Sequence, residues 1–377
     1  METQAPVTPT HYQPESFPPD DRLDWASLVP LIGAASVAVA RYDGLLEAVP
    51  NADILVAPLG DREAVLSSRI EGTQASTRQV LEYEAGQAPP SPELRDDIIE
   101  ILNYRAAMRE AQSLLRELPL CLKVMRLAHG VLLRGARGRG RSPGEFRRIP
   151  NWIGPPDCPI DKATFVPIEA GELLAALDRW EKYLHERPLD PLVQLAVLHA
   201  EFEALHPFLD GNGRLGRMLV PLFLWQKGII HRPSFYISGF LEANRTVYYE
   251  RLLAVSRDDD WTGWCRFFLE AVLAQAHDST ARARRILDLY DETKRRVASL
   301  THARYAIAAL DFVFQNPICT AADFSARRDV PVYAARRIMN AFREDGILRF
   351  TRPASGRRAA IFEFTDLLEI ADGDLET

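Results

Sequence analysis

The chain has 377 residues, 47% of them hydrophobic and 26% charged. That composition excludes a disordered, collagenous or fibrous protein, and the length suits two or three units that each bury a core. Lysine and arginine number 45 against 52 acids, a net charge of −7, so the chain is no general binder of polyanions and any basic surface must be local.

Residues 1 to about 20, rich in proline and polar groups, predict a flexible or extended arm. They lack the basic start and apolar stretch of a secretory signal. From Leu23 to about Tyr83 apolar residues recur at helical spacing, with breaks expected at Pro50 and at Pro58-Leu59-Gly60. The longest weakly polar run, Leu28–Ala40, falls short of the roughly 20 apolar residues a bilayer needs, so no membrane partner is expected. Further helices are expected from Pro92 to about Gly135, with Pro119 between two of them. Residues 136–168 are rich in Gly, Pro and Arg. Their two β-like runs, Asn151–Ile153 and Ala163–Val166, predict a β-hairpin on a helical body.

Helical spacing returns from about Ala170 to about Leu300, with breaks near Pro188, Pro207 and Pro233. The last segment predicts helices over Ala303–Gln315, Ala321–Arg328 and Val332–Glu344, then two short strands around Gly356. Three helices followed by a hairpin match a winged helix-turn-helix. Cys121, Cys158, Cys265 and Cys319 are far apart and form no Cys-x-x-Cys pair, which excludes a zinc ribbon and a disulfide framework and favours a reducing, cytoplasmic setting.

The stretch that carries chemistry is His206-Pro207-Phe208-Leu209-Asp210-Gly211-Asn212-Gly213-Arg214-Leu215-Gly216-Arg217. Pro191–Leu205 predicts a helix, and Pro207 stops it at His206, which then faces a loop. Gly211 and Gly213 permit backbone angles that let consecutive N–H groups converge on an anion. A new helix follows, and its N-terminal dipole favours a phosphate. Arg214 and Arg217, one turn apart, can grip further phosphate oxygens as planar forks. Asp210 is a hard carboxylate suited to Mg²⁺. Base, metal ligand, anion nest and two arginines in one loop describe a nucleotide site.

This segment resembles the signature of the Fic family, His-Pro-Phe-x-Asp/Glu-Gly-Asn-Gly-Arg-x-x-Arg, with all nine fixed positions present. The resemblance implies a protein adenylyltransferase that moves AMP from ATP to a Ser, Thr or Tyr hydroxyl of a protein, itself included. It makes His206 the general base, Asp210 the Mg²⁺ ligand, and Gly211, Asn212 and Gly213 the anion nest. Arg214 and Arg217 would bind the distal phosphates, and Phe208 would anchor the loop. Upstream, Ser67-Ser68-Arg69-Ile70-Glu71-Gly72 resembles the family's inhibitory motif, which implies that Glu71 pairs with Arg217 and misaligns ATP. Gly144-Glu145-Phe146-Arg147, Asn151–Gly154 and Phe165–Pro167 resemble the family's flap, whose strand edge pairs with an extended target. Leu241–Arg245 with Tyr248-Tyr249 resembles the adenine pocket, with Asn244 on the base. Relatives are commonly homodimers, so a homodimer is expected.

The expected fold is mostly α: a Fic-type helical core with a β-hairpin flap and a C-terminal winged helix-turn-helix. Its expected segments are an arm over 1–22, a helical region with the inhibitory helix over 23–118, the catalytic core over 119–290 and the winged helix over 300–377. His199, Glu203 and His206 share a helical spacing, but a metal reading leaves the Gly-Asn-Gly loop and both arginines unexplained, so His199 is expected as a packed histidine. Arg134, Arg137, Arg139, Arg141, Arg147 and Arg148 are expected mostly as a solvated face. Nine arginines and three acids fall between Ser325 and Arg358, with Arg336 and Arg337 on the recognition helix and Arg352, Arg357 and Arg358 on the wing. DNA is therefore a candidate partner, with protein docking as the competing use. Two alternatives to AMP donation stand: removal of AMP or another Fic-type transfer of a phospho group, and a DNA-binding regulator whose core senses nucleotide.

Overall fold

A computed structural model describes residues 11–14, 17–135, 138, 140–155, 158–301, 303–356 and 358–373. In chain order its helices are α1 (Trp25–Glu47), α2 (Asp53–Ile70), α3 (Thr77–Glu84), α4 (Pro92–Leu114), α5 (Leu122–Leu132) and α6 (Leu173–His185). The site-bearing helices follow: α7 (Pro191–Leu205), α8 (Asn212–Gln226), α9 (Ser238–Ala243), α10 (Arg245–Asp258) and α11 (Trp261–Leu300). The C-terminal part holds α12 (Ala306–Gln315), strand β1 (Ile318–Cys319), α13 (Ala321–Arg328), α14 (Val332–Glu344), β2 (Arg349–Arg352), β3 (Ile361–Glu363) and α15 (Thr365–Asp372). The chain divides into two compact units. One holds Ala106–Ala276 with the chain up to Ala40, the other Arg41–Arg105 with His277–Thr377.

The first unit is built around α7. Every residue from Leu192 to Leu205 is buried, as an all-round apolar helix requires. Two signals start it: the Asp190 carboxylate accepts the N–H groups of Leu192 and Val193 at 2.8 and 3.0 Å, and Pro191 takes the first helical position. Helices α6, α8 and α10 pack on it. The indole N–H groups of Trp180 and Trp264 donate to its Leu198 and Ala196 carbonyls at 2.9 and 2.7 Å. Truncating one of its buried leucines to alanine would cost about 2–5 kcal/mol.

The described part of the N-terminal arm has no regular structure up to a single 3-10 turn at Asp20–Arg22 and is fastened to this unit; residues 1–10, 15 and 16 lie outside the described residues. The Tyr12 backbone N–H donates to the Val166 carbonyl at 2.9 Å, and its phenol donates to Glu201 Oε2 at 2.6 Å. Burial and that hydrogen bond push the phenol pKa upward, and burial raises the Glu201 carboxyl to about 7.

The expected flap hairpin is reduced to one bridge, Ile153 with Phe165; the Ile153 N–H donates to the Phe165 carbonyl at 2.9 Å, and the Phe165 N–H donates to the Ile153 carbonyl at 3.1 Å. Pro150, Pro155, Pro159 and Pro167 bracket the two runs, and a proline has no N–H to extend a ladder. Two other expectations change. Pro58 and Gly60 do not break the chain but lie inside α2, where Leu55, Leu59 and Leu66 are buried and packing outweighs the one missing backbone hydrogen bond. Leu28–Ala40 is only part of α1, a helix that by length and composition alone is long and apolar enough to cross a membrane. Its Leu28, Ala35 and Val39 are buried in the protein, while Val29 and Val37 are exposed.

In the second unit, α2 packs against α12 and α15, and α3 against β1. The three strands form an antiparallel sheet in the order β1-β3-β2, with Ile318 opposite Glu363 and Phe350 opposite Phe362. Leu81, Ala85, Ile318, Ile361 and Leu368 form one apolar cluster, so α3 shares a core with the sheet. Capping boxes start α3 (Ser76 with Gln79) and α13 (Thr320 with Asp323). In chain order this part runs helix, strand, helix, helix, strand, strand, and then a short closing helix. Helices α13 and α14 lie where the spacing predicts them, and α12 begins three residues later than expected, at Ala306.

Candidate functional site

The C-terminus of α7 and the N-terminus of α8 meet in the loop His206–Gly211. His206 ends α7 in the left-handed conformation (φ 46°, ψ 60°), and the following Pro207 bars continuation of the right-handed helix. Such a backbone costs on the order of 1–3 kcal/mol in a residue other than glycine, so neighbours must hold it. They are identifiable. The Arg147 backbone N–H donates to the Pro207 carbonyl at 2.9 Å, and its guanidinium donates to the carbonyls of His206 (3.0 Å), Leu205 (3.3 Å) and Ile168 (2.5 Å). Asn151 Nδ2 donates to the carbonyls of Phe208 (2.9 Å) and His206 (3.2 Å).

Arg147 therefore departs from the solvated face expected for the arginine run. It is 3% exposed, caps the end of α7 with positive charge, and joins the flap to the loop. Burial without a carboxylate partner among the described residues lowers its pKa to about 10. Of the other arginines in that run, Arg134, Arg141 and Arg148 are exposed, while Arg137 and Arg139 lie outside the described residues.

The tautomer of His206 follows from its partner. Nδ1 lies 3.3 Å from the Glu203 carbonyl, which only accepts, so Nδ1 carries the proton and Nε2 is the basic nitrogen of the neutral ring. His129, which the sequence did not single out, is a second brace. The Gly144 N–H donates to its Nδ1 at 2.8 Å, and its Nε2–H donates to the Asp210 carbonyl at 3.0 Å. Its ring stacks on the buried Phe208 at 3.9 Å, and burial lowers its pKa to about 4, which keeps it neutral. Phe208 is the fully buried anchor expected of it.

Gly211 takes φ +78° at the N-cap of α8, and a Cβ there would come within 3.1 Å of Leu132. No side chain caps this helix start and no acid sits in its first turn. Among the described residues the N–H groups at the start of α8 thus have no side-chain cap, and the helix dipole is positive there. Asn212 is buried and serves the loop itself: Oδ1 accepts the Phe208 N–H and Nδ2 donates to the Phe208 carbonyl, both at 2.9 Å. Arg214 and Arg217 are 4% and 1% exposed. Asp210, the one carboxylate in the loop sequence, has its side chain 41% exposed, with Oδ1 3.3 Å from Arg214.

His199 is the packed histidine expected. Its Nδ1–H donates to the Gly216 carbonyl at 3.0 Å, its Nε2 accepts from Tyr248 at 2.9 Å, and burial with nearby Arg217 lowers its pKa to about 3. Tyr248 is accordingly a buried strut, whereas Tyr249 is exposed with Arg245 5.9 Å from its ring centre. Asn244, at the junction of α9 and α10, is partly exposed, and its Nδ2 donates to the Phe240 carbonyl at 2.9 Å. His206, Asp210, Gly211, Asn212, Gly213, Arg214 and Arg217 thus share one loop and helix start, with Asn244 elsewhere in the same unit. Ser67 and Glu71 belong to the second unit. Ser67 is fully buried in α2, and Glu71 is the exposed C-cap of that helix before Gly72 at φ +106°.

An uncapped helix start, two buried arginines and a histidine in the left-handed backbone region thus fall within one stretch of the first unit. Residues 29–113 match the model of the Fic/DOC family N-terminal region and residues 119–224 that of the Fic/DOC family itself. The chain belongs to the Fic/DOC family. It is 31% identical over 209 residues to the protein adenylyltransferase Fic of Drosophila virilis, an alignment covering 53% of this chain and 39% of that protein. With the Drosophila melanogaster protein of the same name it shares 29% identity over 209 residues, 38% of that protein. The chain thus spans about two fifths of the curated relatives it matches. A Fic family protein from Desulfovibrio desulfuricans G20 has the same fold, with a TM-score of 0.58 at 19% identity over 90% of this chain and 95% of that one.

Proposed function

We propose that the chain is a protein adenylyltransferase, transferring AMP from ATP to a Ser, Thr or Tyr hydroxyl of a protein, itself among the acceptors. The observation that carries this reading is the pairing of the uncapped α8 N-terminus with a His206 whose basic nitrogen is Nε2. The acceptor oxygen attacks the α-phosphorus of ATP, the bond from that phosphorus to the bridging oxygen breaks, and pyrophosphate leaves. The hydroxyl proton passes to His206 Nε2. The α8 N–H groups with Arg214 and Arg217 bind the phosphates, and Asn244 contacts the adenine. Most of the rate gain comes from positioning and charge stabilisation, as phosphoryl-type transfers require.

The donor set fits Mg²⁺. Asp210 is a partly exposed hard carboxylate with one oxygen on Arg214, at the mouth of an anion site. Asp210 would hold the ion, which would neutralise phosphate charge. Restraint by Glu71 acting on Arg217 belongs to the same reading and rests on the Ser67–Gly72 motif. A homodimer is part of it too, supported by the exposed Val29 and Val37 of α1. A cytoplasmic setting is supported by four cysteines that stand as free thiols.

Incubation with ATP labelled at the α- or γ-phosphorus tests the reaction class. Protein should take up label from the α-position only. Uptake from the γ-position would overturn AMP transfer in favour of phosphorylation.

A further inference from the structure

The winged helix-turn-helix of the second unit is not used by the reaction above, yet its surface is not that of a passive module. Between Ala306 and Asp372 it carries nine arginines and nine acids, a balance that hides strong polarisation. All nine arginines lie between Arg327 and Arg358, with only Asp329, Glu344 and Asp345 among them. The remaining six acids lie outside that span, on α12, the start of α13, β3 and α15.

The structure shows which of these charges stay uncompensated. Among the described residues, Arg343 is paired with Glu344 at 3.2 Å, and Asp345 is held by Arg296 at 2.9 Å, so both local acids on α14 and its end are neutralised. Arg327 donates to Asn316 and Arg328 to Gln315 at 2.7 Å, neutral partners that leave their charges standing. Arg336 and Arg337 on α14, Arg349 on β2 and Arg358 on the wing are all exposed and meet no carboxylate among the described residues. Arg357 lies outside the described residues.

The outer face of α14 adds groups that folding does not explain. Ala334, Ala335, Ile338, Met339 and Phe342 are buried, which turns Val332, Tyr333, Arg336, Arg337 and Asn340 outward. Tyr333 is 75% exposed and Val332 48%. These side chains share one stripe over the first nine of the thirteen residues of the helix, whose N-terminal part reaches base edges in this class of motif. Arginine and asparagine are the residues that pair bidentately with guanine and adenine, a small apolar group suits the thymine methyl, and a tyrosine hydroxyl suits phosphate. The wing closes at Gly356 (φ +58°), where Ser355 and Arg358 exchange both backbone hydrogen bonds at 3.1 and 3.0 Å. That places Arg358 at the hairpin tip, where a wing meets the backbone.

We propose that the C-terminal winged helix binds duplex DNA, with the outer face of α14 in the major groove and Arg349 and Arg358 on flanking phosphates. Charge decides between DNA and a protein partner. A run with four exposed arginines that meet no carboxylate among the described residues, in a chain of net charge −7, concentrates one sign of charge on α14 and the wing, which a phosphate backbone requires and a protein contact does not. The inference stands independently of the reaction assigned to the first unit.

The test is fluorescence anisotropy of the full-length chain with a labelled mixed-sequence duplex about three helical turns long, over a salt series. Binding should weaken steeply with salt. The Arg336→Ala/Arg337→Ala variant should bind at least about tenfold more weakly, with a slope of log K against log salt shallower by about 2. Circular dichroism should show both proteins equally folded, since both side chains are exposed. Duplexes recovered from a randomised pool by the wild-type chain should share a motif whose preference relaxes in Asn340→Ala. Absence of duplex binding at low salt, or binding that the double variant leaves unchanged, overturns the proposal and makes the α14 face a protein-docking surface.

Discussion

Replacing Arg147 by methionine tests whether this residue shapes the site. The change keeps much of the side-chain volume and removes every donor. The carbonyls of Ile168, Leu205 and His206 lose their guanidinium partner, and the positive end-cap of α7 disappears. Hydrogen bonds from charged donors contribute about 1.5–3 kcal/mol each, but removal of a buried, unpaired charge returns part of that loss. A net destabilisation on the order of 3 kcal/mol follows, or a fall in Tm of roughly 6–12 °C. The kinetic effect should be the more telling. His206 holds a left-handed backbone that Arg147 and Asn151 secure, and a displacement of about 1 Å in a reacting group costs on the order of 100-fold in rate. Single-turnover labelling from α-labelled ATP, at a temperature where the variant stays folded, should show kcat reduced by about that factor. KM for ATP should change little, because Gly211–Arg217 are untouched. Arg147→Lys should recover part of the stability but little of the rate, since an ammonium cannot fork to three carbonyls. A folded Arg147→Met variant with wild-type kcat would refute the positioning role.

Two further expectations concern packing. Glu201 is buried with its carboxyl raised to about 7, so the folded state holds a proton that the unfolded chain releases near pH 4.5. Stability from that proton is complete below pH 4.5 and is lost as pH rises through about 7; Glu201→Gln should therefore gain Tm at pH 8 and little at pH 4.5, and equal shifts at both would sink the assignment. At Gly216 an added Cβ would lie 2.3 Å from Glu203 Oε1 and 3.5 Å from His199 Cε1. Gly216→Ala should cost about 1–2 kcal/mol, seen as a lower midpoint in denaturant, and an unchanged midpoint would show that Glu203 moves aside freely.

Much of the fold was legible because local chemistry and packing agree. Proline at 207 and glycines at 211 and 213 mark the loop, Asp190-Pro191 announces α7, and the arginine-rich stretch after Thr320 gives α13 and α14 with their observed bounds. What escaped depends on partners distant in sequence. The spacing of Arg147 is that of its exposed neighbours, and only the carbonyls of α7 and the flap make it a buried cap. His129 lies 81 residues from Asp210, whose carbonyl it holds. Pro58 looks like a break until the burial of Leu55, Leu59 and Leu66 is seen. The pairing of β1 with β3 joins residues more than forty positions apart, and two-residue β1 carries no periodicity of its own. The flap forms one bridge and no hairpin because the prolines that bracket its β-like residues have no N–H to extend a ladder.

Intact-mass spectrometry of the Glu71→Gly variant, incubated with ATP and Mg²⁺, tests the central claim most directly. The account predicts a gain of one AMP mass that disappears when His206→Ala is added to the same protein. Persistence of that adduct without the imidazole, or no adduct while ATP demonstrably occupies the site, would contradict it.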